Sequence, residues 1–427
     1  MDVFKPIDCK TASIAELKKA FYMHQPISGL ETRASHYGPH NDELLPMFLM
    51  SETKEGKQLF PGIEDTGIGY ITPTKLLRNN LLGEEGFFKA MQMGYLLFGI
   101  GGGPFDEHID RKNRQSCVNL VVNHLDLFKD HYNRKIYGSL IMYVNFEDQN
   151  GDNLIQVLNR ENPEHVLSTK ETKALMALNT GGVAQNLKRG FEAAADAEEY
   201  SQVAIGAFQF FKNHVQQAKL FVQATEAYEK APKNIIPIKV DGKKMILLDI
   251  YCDHPIINKV CHQKWPENKP EGLAVLLIRR SNGQFALMPN RNIGAEKMVE
   301  VVKILRQKVN FNRNSGPIMF KDLGVEEILP VIPEIHFAKA TGTICNGSKV
   351  DADVPGLIGE DLSVQDVIDA VVIGLEQDLF PSRFKQKCLN GECAKGACPF
   401  YNFGLQRCHN IRKGVTTMTT RDEQQVA

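Results

Sequence analysis

The stretch Ser35-His36-Tyr37-Gly38-Pro39-His40-Asn41-Asp42-Glu43-Leu44 constrains the fold of this chain more than any other. Its potential cation ligands, His36, His40, Asp42 and Glu43, crowd into a turn built on Gly38 and Pro39. An apolar run, Leu44-Leu45-Pro46-Met47-Phe48-Leu49-Met50, follows at once. A polar turn that discharges into an apolar segment fits a strand end opening onto a helix, and ligands bind at that place in open α/β sheets. Hard divalent cations take carboxylate and imidazole groups converging from such loops. A second turn, Gly101-Gly102-Gly103-Pro104-Phe105-Asp106-Glu107-His108, follows the apolar run that ends at Ile100. Its glycines permit positive φ and close approach of a phosphate to the backbone. A third apolar run, Leu140-Ile141-Met142-Tyr143-Val144, leads into Asn145-Phe146-Glu147-Asp148, read as a third acidic turn.

Helix-like spacing at Ser13–Phe21, Gly86–Met93 and Gln115–Phe128 alternates with these apolar runs, which predicts a mainly parallel sheet. From Lys170 to Lys230 the spacing is helical. Beyond it, Asp241-Gly242 and Ser281-Asn282-Gly283 sit between apolar runs and predict hairpins. Ala295–Val309 reads as a helix, and His336–Ser348 as a strand followed by a glycine-bearing loop. Ser363-Val364-Gln365-Asp366 opens another helix like a capping box. The expected fold is α/β, with a mainly parallel-sheet domain over residues 1–165 and a helical connector over 166–232. A smaller α+β domain over 233–380, a cysteine-rich metal module over 381–415 and a disordered tail over 416–427 complete it.

Lys plus Arg number 50 and Asp plus Glu 51. This balance gives no global electrostatic case for nucleic-acid binding. The N-terminal residues lack an apolar signal core, and no uncharged run is long enough for a bilayer. A soluble, cytoplasmic protein without a membrane partner is therefore expected. In such a compartment the cysteines argue for metal rather than disulfides. Cys388, Cys393, Cys398 and Cys408 crowd together and read as a Zn²⁺ site, with an iron–sulfur cluster as the alternative.

The motif His36-x-Gly38-x-His40-x-Asp42-Glu43 resembles the first motif of the melanocyte-proliferating-gene type of DHH phosphoesterase, one residue shorter. Phe105-Asp106-Glu107-His108 is similar to the Asp-His-His signature, with Glu in place of the first His. Ser116–Val121 resembles the helix start after that signature, and Phe146–Gly151 the later Asp-Asn-Gly motif. Lys339-Ala340-Thr341-Gly342 through Gly347 is similar to the family's C-terminal His-Ala-Thr/Ser-Gly loop, with Lys339 at the His. The likeness covers roughly residues 30–350.

The resemblance implies a metal-dependent phosphodiesterase or exonuclease acting on RNA, DNA or nucleotides. It implies Mn²⁺ or Mg²⁺ held by His36, His40, Asp42, Asp106, His108 and Asp148, with Asp42, Asp106, Glu107 and His108 catalytic. Arg111, Arg114, Lys339, Gly342 and Gly347 would meet the substrate's phosphates. Gly99-Ile100-Gly101-Gly102 stands where the family carries Asp-Val-Gly-Gly, so the metal-bridging Asp is missing, and Asp65 and Glu107 are the candidates to replace it. The alternative is a catalytically silent DHH-like binding protein that acts through its zinc or iron–sulfur module. The oligomeric state is open, a homodimer included.

Overall fold

The computed structural model describes residues 5–109, 115–150, 190–191, 193–194, 196–240, 243–265, 272–291, 293–315, 318, 320–324, 326–347 and 353–375. Arg111, Arg114, the Cys388–Cys408 module and the tail lie outside the described residues. The chain is mixed α/β and divides into two compact units, Met1–Val222 and Gln223–Ala427. Among the described residues no helix is long and apolar enough to cross a membrane.

In the first unit, β1 (Ile7–Asp8) and β2 (Ile27–Ser28) form a parallel pair. Strands β3 (Thr32–Ser35), β4 (Gly67–Tyr70) and β5 (Tyr95–Leu97) form a parallel sheet in the order β4-β3-β5. Ser35 is in register with Tyr70, and Ala34 with Leu97. The carboxyl ends of all three strands therefore lie at one edge, as the alternating pattern predicts. Helix α1 (Ile14–Tyr22) packs on the unit's core, opened by a capping box between Ser13 and Glu16. Helix α2 (Asn41–Glu52) is buried at every position from Asp42 to Ser51. A helix enclosed on all sides belongs to the middle of a unit. Helices α3 (Lys54–Leu59), α4 (Pro73–Arg78), α5 (Gly83–Gln92) and α6 (Cys117–His124) follow, with Ser116 capping α6 through the Asn119 amide.

Among the described residues, 145–150 are helical rather than a third acidic turn. Leu140–Val144 lies inside α7 (His131–Asn150). Leu140, Ile141 and Val144 are buried there while Met142 is 70% exposed. Burial at i, i+1 and i+4 is a helix period, which a short apolar run does not distinguish from a strand. Asp148 therefore stands on the last turns of a helix rather than in a loop. Of the helical stretch expected from Lys170 to Lys230, Ala197–Lys230 forms α8, with the division between units inside it, and residues 170–189 lie outside the described residues.

Beneath α6, the His124 ring stacks on Phe21 at 4.0 Å and meets the edge of Phe105 at 5.4 Å. Burial first, and the neighbouring His24 second, push its imidazole down to about 4. The ordinary value is about 6.5. A depressed folded value means that stability is full above about pH 6.5 and is lost as pH falls towards 4. Because His124 is only partly buried, the expected loss is about 1–2 kcal/mol. Urea unfolding at pH 7 and pH 4.5 measures it. His124→Phe should flatten the difference, and an unchanged slope would refute the assignment.

The second unit holds one sheet in the order β10-β11-β12-β9-β8-β7-β6. Its strands are β6 (Lys233–Val240), β7 (Lys243–Tyr251), β8 (Leu273–Arg279), β9 (Phe285–Pro289), β10 (Ile328–Leu329), β11 (Ile332–Ala338) and β12 (Thr343–Asn346). Both expected hairpins, β6–β7 and β8–β9, pair antiparallel, while β7 and β8 pair parallel. Helix α9 (Ile257–Lys264) bridges that parallel crossover in sequence. Helices α10 (Ala295–Asn312) and α11 (Val364–Leu375) share the unit's core, and Ser363 and Asp366 form the expected box at the start of α11. Fully buried Arg306 of α10 donates to the carbonyls of Leu323, Glu326, Glu327 and Ile335, tying β11 and the chain before it to the helix. The expected loop at Gly342–Gly347 is instead strand β12 bracketed by two glycines, both at φ +72°. Lys339 and Gly342 form the β11–β12 turn, and Lys339 is exposed.

Candidate metal centre

The loops leaving β3 and β5 converge at the carboxyl edge of the parallel sheet. From β3 come His36 and His40, then Asp42 and Glu43 in the first turn of α2. Glu43 accepts from the His40 amide at 2.6 Å, which satisfies a free donor at the helix start. Its other oxygen accepts from His36 Nε2 at 2.8 Å. The opposite ring nitrogen of His36, Nδ1, donates to the Tyr37 carbonyl at 3.0 Å. That bond fixes the ring and assigns Nε2 to the centre, as backbone carbonyls do for metal-ligating imidazoles.

From β5 come Gly99 and the glycine turn. Gly101 and Gly102 take φ of +84° and +74°. This left-handed backbone aims the Gly102 amide at Asp106 Oδ2, 2.6 Å away. Asp106 Oδ1 accepts from the amide and from Nδ1 of His108 at 3.0 and 2.9 Å. Asp106 thus holds its loop and the His108 ring together. His108 Nδ1 lies 3.2 Å from Glu107 Oε1.

Three sets of donor atoms lie within 4.8 Å of one another: His36/His40/Glu43, Asp42/Glu43/Glu107 and Asp106/Glu107/His108. They interlock, because Glu43 belongs to the first two and Glu107 to the last two. The carboxylates form the floor, with Asp42 3%, Glu43 1% and Asp106 7% exposed. His40 and His108 stand exposed at the rim. Among the described residues no Lys or Arg pairs with any of these carboxylates, and Glu107 Oε2 is buried without a hydrogen-bond partner. Buried carboxylates that lack a cation must take up protons or bind one.

The electrostatics follow from that crowding. Burial, and then the charges of Glu43, Asp148 and Glu107, hold the Asp42 carboxyl well above its ordinary range. Burial, followed by the charge of Glu43, raises Glu107 to about 7 against its own backbone hydrogen bond. Burial would raise Glu43 too, but the bond and charge of His36 outweigh it and carry Glu43 down. The bond to Glu43 raises His36 in turn. At His108 burial works downward, and the charge of Glu107 with the bond to Asp106 carries the ring up. This donor set of imidazole nitrogens and hard carboxylate oxygens suits Mn²⁺, Mg²⁺ or Zn²⁺ rather than a thiolate-seeking metal.

The sequence-predicted residues divide accordingly. His36, His40, Asp42, Asp106, Glu107 and His108 come together. Asp148 is near enough to raise Asp42 but joins none of the three sets. Exposed Asp65 joins none either, so of the two candidates to replace the missing bridging carboxylate only Glu107 stands among the donors. Lys339, Gly342 and Gly347 belong to the second unit. Glu43, named at first as a potential ligand but not carried into the expected set, proves the most connected group. Its signal was the His40-x-x-Glu43 spacing of a capping box. No protein-family model matches this chain, and no curated protein matches it.

Proposed function

We propose that the chain is a divalent-cation-dependent phosphoesterase that cleaves phosphodiesters of the nucleotide or nucleic-acid class. The single observation that carries this reading is the interlocked donor set, in which Glu43 and Glu107 are each shared between two groups. His36, His40 and Glu43 would hold a cation on one side, and Asp106, Glu107 and His108 on the other, with Asp42 between them. Cations bound there polarise phosphoryl oxygens and activate water. The Tyr37 carbonyl fixes the orientation of the His36 ring, and Asp106 holds the glycine turn through the Gly102 amide. The resemblance to DHH phosphoesterases supports the same reading, with Glu107 serving where that family carries its bridging Asp. Cys388, Cys393, Cys398 and Cys408 fit a structural Zn²⁺ in this reading, with iron–sulfur as the alternative.

The test is turnover of bis(p-nitrophenyl) phosphate with Mn²⁺ or Mg²⁺ by the native chain and by Asp106→Asn. The expected result is metal-dependent hydrolysis that falls roughly 100-fold in the variant. Hydrolysis that ignores both the metal and the substitution would overturn the assignment.

A further inference from the structure

Next to the donor set lies a feature that cation binding does not require. Tyr37 follows His36 directly, yet the residue is 46% exposed. It meets Tyr70, the last residue of β4, at 5.0 Å and near a right angle. Tyr70 packs on Tyr200 of α8 at 4.9 Å, and Tyr200 on Phe191 at 4.7 Å. Tyr200 is buried, and its hydroxyl donates to the His36 carbonyl at 3.4 Å. The Tyr37 hydroxyl donates to the Ala194 carbonyl at 3.2 Å. A largely buried aromatic cluster thus ends in one exposed tyrosine, pinned at its hydroxyl and joined through its backbone to a ligand-bearing histidine. An exposed tyrosine alone is ordinary. A ring fixed at both ends beside a cation site has already lost the freedom that stacking would cost it.

We propose that Tyr37 is the specificity residue of this site, a stacking shelf for the base of a nucleoside phosphate whose phosphate lies on the cations. The proposal rests on the phosphoesterase reading for its phosphate anchor. A flat π face suits every base, because each presents the same kind of face. A sugar phosphate or an alkyl phosphate leaves the ring unused. Tyr70 and Tyr200 act as positioning residues that keep the shelf beside His36.

The experiment is calorimetric titration of the full chain in Mn²⁺ with two phosphomonoesters, adenosine 5′-monophosphate and ribose 5-phosphate. They share the phosphate and the ribose and differ in the base. The native chain should prefer the adenosine compound about 10-fold or more. Tyr37→Ala should bring the ratio close to unity while leaving ribose 5-phosphate affinity unchanged, and Tyr37→Trp should restore the preference. Circular dichroism melting checks that the variants fold. If the native chain binds both compounds equally, the shelf is refuted and the phosphate site stands. If it binds neither in Mn²⁺, the phosphoesterase reading falls and takes the shelf with it. A preference that survives Tyr37→Ala would place base recognition elsewhere and also refute the assignment.

Discussion

Gly99→Ala is expected to cost the first unit about 2–5 kcal/mol and to weaken divalent-cation binding. Gly99 sits at φ +64°, where an L side chain is strained. A Cβ there would lie 2.5 Å from Cγ of Glu43 and 3.0 Å from its Oε1. The strain of a left-handed residue is roughly 1–2 kcal/mol and overpacking adds about 1–3. Glu43 has no room to retreat, because it is buried and tied to His36 and to the His40 amide. Moving it breaks the cap of α2 and removes the carboxylate shared by two donor sets. The side chain of Glu43 therefore fills the volume that any side chain at position 99 would need. Gly62→Ala is the control, since Gly62 has φ +85° but open space around its Cβ. It should lose only the conformational cost and bind Mn²⁺ normally. Urea unfolding with a parallel Mn²⁺ titration reads both effects. Full cation binding by Gly99→Ala would show that Glu43 is not a ligand.

Mn²⁺ at a thousandfold excess over its dissociation constant should stabilise the native chain by about 4 kcal/mol. For a unit of this size that corresponds to roughly 8–16 °C in melting temperature. The buried carboxylates of Asp42, Glu43, Asp106 and Glu107 meet no Lys or Arg among the described residues, so the metal-free protein bears their repulsion. A cation relieves that repulsion only in the folded state, where the groups are assembled. Asp106→Ala/His108→Ala should show a clearly smaller Mn²⁺ shift, since only the His36/His40/Glu43 side keeps its full donor set. Asp106→Asn is the milder change, because its amide oxygen can still accept either the Gly102 or the His108 amide, though not both. An equal Mn²⁺ shift in the double variant would locate the bound ion elsewhere.

The site was legible where chemistry follows sequence order. His36 to Glu43 stood out because a cluster of ligands ran straight into an apolar segment, and a strand-to-helix junction does sit there. Asp106 to His108 stood out for the same reason after β5. Leu140–Val144 was misread because five apolar residues satisfy both periods. The reciprocity of Gly99 and Glu43 was not legible, since it is a contact between residues on neighbouring loops. The missing Asp at position 99 was visible as an absence; that a buried glutamate fills its space was not. Tyr200 reaches Tyr37 from the far end of the unit's sequence, and no local spacing announces it.

The parallel sheet has a consequence for the history of each newly made molecule. β3 lies between β4 and β5, so the two donor loops depart from adjacent strands, about 4.8 Å apart. A slip of one residue in the β3–β5 pairing would carry one loop about 3.3 Å along the other and turn its side chains to the opposite face. Donor atoms gathered within 4.8 Å do not survive such a displacement. A cation bound there would therefore act as a check on strand alignment. A correctly paired chain would gain the ion's stabilisation, and a mispaired one would not.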